Sequence, residues 1–317
     1  MTSEMAIELE SELDPRERKE FCEPGFSPES WRSAREVADT VLPVVTPFHT
    51  AVRILTSHVI EDEEKLRCLT WTLKFPSFRI AVCRFCESII PESTFEPDSA
   101  TAVRLKELLG FDVCAVILGL LLSYRRMKRI VPGGITKNLA KAPHNRAEIG
   151  FHLGREISEL GSAAGMLLGG MRGLAFGLIC AAKPQEYGKY RRHVDQMQIP
   201  FDVGYEIDEW GFSHPQVMAL LTQRLGFGHL PAVAFFMGLS PLFISPTKDL
   251  WASRFRTVAL WIEELYSGAS LSHRISLRGF TITEQDLQKL TESVMTNLKS
   301  KSNVLWLDGG LDADQKR

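Results

Sequence analysis

The residues best placed for chemistry lie between Leu174 and His214. Glu206-x-x-x-x-Gly211-x-Ser213-His214 sets a carboxylate and an imidazole on either side of a glycine turn. Such a pair can move protons, help hold a metal, or tie two segments together by a hydrogen bond. Upstream, Gly177-Leu178-Ile179-Cys180-Ala181 closes an apolar run. Cys180 is able to bind a soft metal, while Ala181 carries no donor atom at all. His144 stands near the start of the same half of the chain, and Asp195 and Asp202 fall in what reads as a loop.

Other reactive patterns lack the partners they need. Cys83-Arg-Phe-Cys86 is a C-x-x-C, but a structural zinc site takes four ligands and no second pair or H-x3-H follows it. No strand precedes it, as a redox motif would require, so two thiols near one helical face is the plainer reading. Gly165-Met-Leu-Leu-Gly169-Gly170 does not follow a strand, and neither G-x-x-x-x-G-K-[ST] nor G-x-S-x-G occurs. His152, His193, His229 and His273 have no ligand spacing to one another. Arg155 with Glu156, and Arg191 with Arg192, read as solvated helix faces.

Periodicity sets the elements that must position these groups, and it is helical almost throughout. Ser27-Pro28 starts a helix with a cap and a proline at the first position. Val44, Phe48, Val52 and Leu55 mark an amphipathic helix, and Glu61 to Glu64 supply an acidic first turn to the next. Phe75-Pro76 is a break, Thr101 to Leu109 a helix stopped by Gly110, and Val113 to Leu122 a buried one. That last run is far short of the about 20 residues needed to span a membrane. Pro132, Gly133, Gly134 and Pro143 read as a flexible crossing between two halves. The glycines at 165, 169, 170 and 173 would let a helix pack closely. Ser213 is placed to cap a helix with His214 in its first turn, and Thr283 to Asp286 open a last one.

Composition is that of an ordinary soluble globular chain, 44% apolar and 24% charged over 317 residues. A net charge of -2 argues against a broad nucleic-acid footprint. The six cysteines are scattered, and the acidic N-terminus has no apolar signal core, so a reducing cytoplasm is expected.

The segment Leu174-Ala-Phe-Gly177-Leu178-Ile179-Cys180-Ala181, followed by Glu206-x-x-x-x-Gly211-x-x-His214-x-x-Val217, resembles the HDOD family. These are bacterial signalling relatives of the HD metal-dependent phosphohydrolases. The resemblance covers roughly residues 38 to 270 and implies an all-α, HD-like multi-helix array. The expected organisation is a polar leader at 1–33, a front helical half at 34–134, an HD-like half at 135–300 and a tail at 301–317. The His-Asp pair that names the enzymes is occupied here by Cys180 and Ala181, and Phe235-Phe236 stands where family members carry a His-His pair. Only His144 is left as a candidate ligand.

What this implies is a non-catalytic regulatory protein of bacterial signal transduction, without cofactor or metal, acting on an unidentified protein partner. His144, Cys180, Glu206, Gly211 and His214 would then be a vestigial pocket or a structural signature. Two alternatives stand beside it. One is a divergent metal-dependent phosphohydrolase using His144, Cys180 and a carboxylate; the other is a receptor for a nucleotide ligand such as a cyclic dinucleotide. Neither a nucleic-acid partner nor a membrane span is expected.

Overall fold

Helix starts follow their local signals. The Ser27 hydroxyl accepts from the Ser30 N–H at 3.2 Å, and Pro28 opens α1 (Pro28–Asp39). The computed structural model describes residues 27–40, 46–89, 101–131, 136–240, 250–269, 271, 280, 282–299 and 305–308. Thirteen α-helices, and no strand, are found among the described residues.

The front helices are α2 (Thr46–Thr56), α3 (Asp62–Thr72), α4 (Pro76–Ile89) and α5 (Ala102–Ile130). Gly110 adopts φ 77 inside α5 and kinks it, at the expected stop. Cys83 and Cys86 are both buried in α4, and burial pushes Cys86 to about 12, so it stays a protonated thiol.

The second half holds α6 (Thr136–Glu156), α7 (Ser162–Ala182), α8 (Pro184–Met197), α9 (Val203–Trp210), α10 (His214–Arg224), α11 (His229–Leu239) and α12 (Leu250–Tyr266), with α13 (Glu284–Lys299) beyond. Its spine is the antiparallel pair α6 and α7, the most extensive helix contact in the fold. A Cβ on Gly150 would come 2.0 Å from the Gly165 carbonyl oxygen, and one on Gly169 2.0 Å from that of Arg146. The two backbones touch because no side chain stands between them. α7 is long and apolar enough to cross a membrane, yet 89% of its apolar window is buried inside the fold, which makes it the central core helix. One continuous core joins the halves, including Leu55, Phe85, Leu120, Leu168, Val217 and Trp261.

Several expectations need correction. Pro143 does not mark a crossing: it lies inside α6, packed where a Cβ on Gly173 would meet it at 2.8 Å. Helix α1 runs across the leader boundary expected at 33 and packs on α10 of the second half, while its Trp31 meets Phe236 of α11 at 4.9 Å. The segment 301–317, expected as a tail outside the helical halves, contributes to the core at 305–308, where Trp306 and Leu307 are fully buried. Asp195 is helical, within α8. Residues 1–26, the crossing at 132–135 and the end at 309–317 lie outside the described residues.

Candidate functional site

Gly211 is the hinge of the first centre. It takes φ 77, the left-handed conformation that ends α9, and returns the chain so that α10 begins beside α9. Ser213 then caps α10 with Gln216, whose Oε1 accepts from the Ser213 N–H at 2.8 Å. That turn brings His214 back onto Glu206, and both are 0% exposed.

The Glu206 carboxylate is saturated with donors. Tyr190 O–H donates to Oε1 at 2.7 Å, the His214 backbone N–H to Oε2 at 2.7 Å, and His214 Nδ1 lies 2.7 and 2.8 Å from the two oxygens. The Tyr190 oxygen also accepts from the Asp202 N–H at 3.3 Å, and Asp202 is linked to His193 at 2.9 Å. Phe176 stacks on the His214 ring at 4.6 Å. Burial, with Arg172 nearby, lowers the His214 pKa although Glu206 opposes it. The imidazole is therefore neutral, with Nδ1 protonated toward the carboxylate and Nε2 unpartnered among the described residues.

A second centre lies beside the first. Arg146 of α6 donates through Nε and Nη2 to the two oxygens of Glu263 of α12, at 2.5 and 2.8 Å. Arg172 of α7 stands 3.6 Å from the same carboxylate and donates to the Ala259 carbonyl at 3.2 Å. Burial alone would raise the Glu263 pKa, but the two guanidinium groups hold it down to about 2. Burial raises the Tyr187 hydroxyl of α8 to about 12, with Arg191 and Arg146 opposing the rise and Cys180 and Glu263 adding to it. Cys180 itself is buried, and burial pushes its thiol to about 11.

His144 belongs to a third place. Its Nδ1 accepts from the Leu307 N–H at 3.2 Å, and its ring meets those of Tyr124 at 4.9 Å and Trp306 at 5.5 Å. Burial drives its pKa to about 3, so it too is neutral.

No family model matches the chain, and no curated protein matches it. Solved structures do. A protein from Shewanella amazonensis SB2B, named provisionally as a phosphohydrolase, superimposes with a TM-score of 0.61 at 14% identity, over 88% of this chain and 97% of the other. An HDOD domain protein of unknown function from Geobacter sulfurreducens superimposes with a TM-score of 0.54 at 14% identity, over 91% and 94%. The chain has the HDOD-like fold.

Within that HDOD-like fold, the five residues singled out from sequence do not form one pocket. Glu206, Gly211 and His214 come together as a unit, with Gly211 making the turn and the other two the bond. His144 shares no partner with them. Pro143 packs opposite Gly173, so Cys180 lies about two turns further along α7 than the level of His144, roughly 10 Å at about 1.5 Å rise per residue. Tyr190, Arg146, Arg172 and Glu263 were not anticipated. Arg172 had a visible signal, being the one charged residue in the apolar run of α7; a charge there must be paired.

Proposed function

We propose that this chain is a non-catalytic regulatory protein of a bacterial signalling pathway in the cytoplasm, acting by binding an unidentified protein partner or a small ligand. The observation that carries the reading is the state of the position where the HDOD resemblance puts the enzymes' metal-binding pair. Cys180 is a buried, protonated thiol and Ala181 offers no donor. Two other candidate ligands are engaged, since His144 Nδ1 accepts from Leu307 and Glu206 is filled by Tyr190 and His214; only His214 keeps a bare Nε2, and among the described residues it stands alone. A hydrolytic metal needs open, deprotonated ligands converging on one point. No group of three such side chains that could hold a metal ion lies together among the described residues.

The competing reading, a divergent phosphohydrolase, draws on the name of the Shewanella neighbour. Elemental analysis of the purified chain, with hydrolysis of bis(p-nitrophenyl) phosphate in manganese and magnesium, separates the two. The binding reading expects substoichiometric metal and no turnover above a blank. One equivalent of metal with turnover abolished by chelation would overturn it.

A further inference from the structure

Residues 305–308 sit in the body of the fold much as a bound peptide sits in a receptor. Trp306 and Leu307 are fully buried. The Trp306 ring meets Phe85 of α4 at 5.1 Å and His144 of α6 at 5.5 Å. The Leu307 N–H donates to His144 Nδ1 at 3.2 Å. Asp308 Oδ1 accepts from the Tyr124 hydroxyl at 3.0 Å and from Lys128 Nζ at 2.5 Å, both on α5. Helices α4 and α5 belong to the front half and α6 to the second, so the segment is seated at their junction.

Each of these contacts reads a different feature of the segment. The rings make a slot for an indole, the kind of anchor that dominates peptide and protein binding. His144 fixes the backbone register, and Tyr124 with Lys128 holds a carboxylate by a charge-assisted bond. The sequence sets the motif apart. Val304-Leu305-Trp306-Leu307 stands between Lys299-Ser-Lys-Ser-Asn303 and Gly309-Gly310. An isolated aromatic-aliphatic-acidic motif, recognised by side chains of three helices, has the make-up of a ligand.

Two features make the seat one that can be vacated. The acidic anchor is at the rim, where the Lys128 and Asp308 side chains are 33% and 22% exposed and water competes for the pair. Deeper in, the seated segment leaves donors unused. His144 Nε2 carries the ring proton once Nδ1 accepts from Leu307, and neither it nor Trp306 Nε1 has a hydrogen-bond partner among the described residues. Buried donors without acceptors weaken the closed state, and both gain water when the segment leaves.

We propose that the seat between α4, α5 and α6 is a docking site for a partner protein's segment of the same chemistry, an aromatic residue followed by an aliphatic one and a carboxylate, and that the chain's own residues 305–308 occupy it until displaced. This rests on the binding reading above and gives the protein partner a recognisable motif.

The probe is a fluorescein-labelled peptide of residues 303–310, titrated by fluorescence anisotropy into the full chain. The parental chain should bind it weakly, because its own segment fills the seat. Trp306→Ala empties the slot from within and should tighten binding by about 10-fold or more. Asp308→Asn, which keeps the indole in place, should give a smaller gain of the same sign and decides the matter if Trp306→Ala fails to fold. Adding Lys128→Met to either variant should weaken the peptide by about 10-fold, as should asparagine for aspartate in the peptide. Hydrogen exchange of the parental chain should show the amides of 305–308 opening locally, ahead of those of α7. Absence of saturable binding by a folded variant, equal affinity in variant and parent, indifference to Lys128→Met, or exchange of 305–308 only together with α7 would each overturn the proposal. Such a failure leaves the non-catalytic reading standing, whereas bound metal with turnover removes that reading without changing the peptide titration.

Discussion

Arg146 holds the Glu263 carboxylate by both oxygens across 117 residues of sequence, in a setting where each side chain is under a tenth exposed. Removing one member of such a pair strands the other charge in the interior. Glu263→Gln or Arg146→Met should each lower the unfolding free energy by about 3–5 kcal/mol. Arg146→Met with Glu263→Leu should recover only part of that loss, because Arg172, 3.6 Å from the Glu263 carboxylate, then loses that partner in the interior. Urea unfolding of the three variants checks the non-additivity.

Glu206 and His214 form a bond whose proton can be located. Three donors on one carboxylate require Nδ1–H toward Glu206 and a bare Nε2. Nitrogen-detected NMR of the imidazole should show this tautomer at neutral pH. Glu206→Gln turns an amide N–H toward groups that themselves donate, and should cost about 1–3 kcal/mol.

Acid should destabilise the fold in two overlapping windows. His144 is held at about 3 against an ordinary 6.5, so between those values the unfolded chain takes a proton that the folded chain refuses. Stability is complete above pH 6.5 and falls as pH drops toward 3, by up to about 1.4 kcal/mol per pH unit for a single group. His214, also lowered, adds loss of the same sign. Glu263, held at about 2 against 4.5, contributes a further loss below 4.5. Urea midpoints from pH 7 down to 4 should fall steadily, and His144→Gln should flatten the slope.

Two glycines should respond in opposite directions to alanine. A methyl at Gly169 would sit 2.0 Å from the Arg146 carbonyl oxygen, so α6 and α7 must separate, at about 3 kcal/mol or more. Gly188, inside α8, has nothing within 4 Å of the same position. There alanine only removes backbone freedom from the unfolded chain, for a gain of about 0.5–1 kcal/mol. Paired thermal melts decide between these outcomes.

What could be seen in the sequence was local. The caps at Ser27 and Ser213, the break at Gly110 and the all-helical class follow from short spacings that physical chemistry ties to one conformation. Glu206 and His214 were visible for the same reason, being eight residues apart around a turn glycine. Pro143 misled because a proline normally ends a helix, and here it sits within one whose neighbour presents Gly173. Trp306 sits in the short apolar run 304–307, but so short a run does not say what it packs on; its ring contacts, Phe85 and His144, come from far along the chain. Glu263 reads as one more acidic residue in an amphipathic helix until Arg146 and Arg172 are brought to it by the tertiary fold.

The backbone contact between α6 and α7 also decides which parts of the interior are free to shift. Where glycines let the two backbones touch there is no side chain to repack, so α6 and α7 make a stiff pair, and Arg146 and Arg172 are mounted on it. Tyr187 and Glu263 are carried by helices outside it, α8 and α12. A displacement of α8 or α12 would therefore carry Tyr187 or Glu263 against a fixed support.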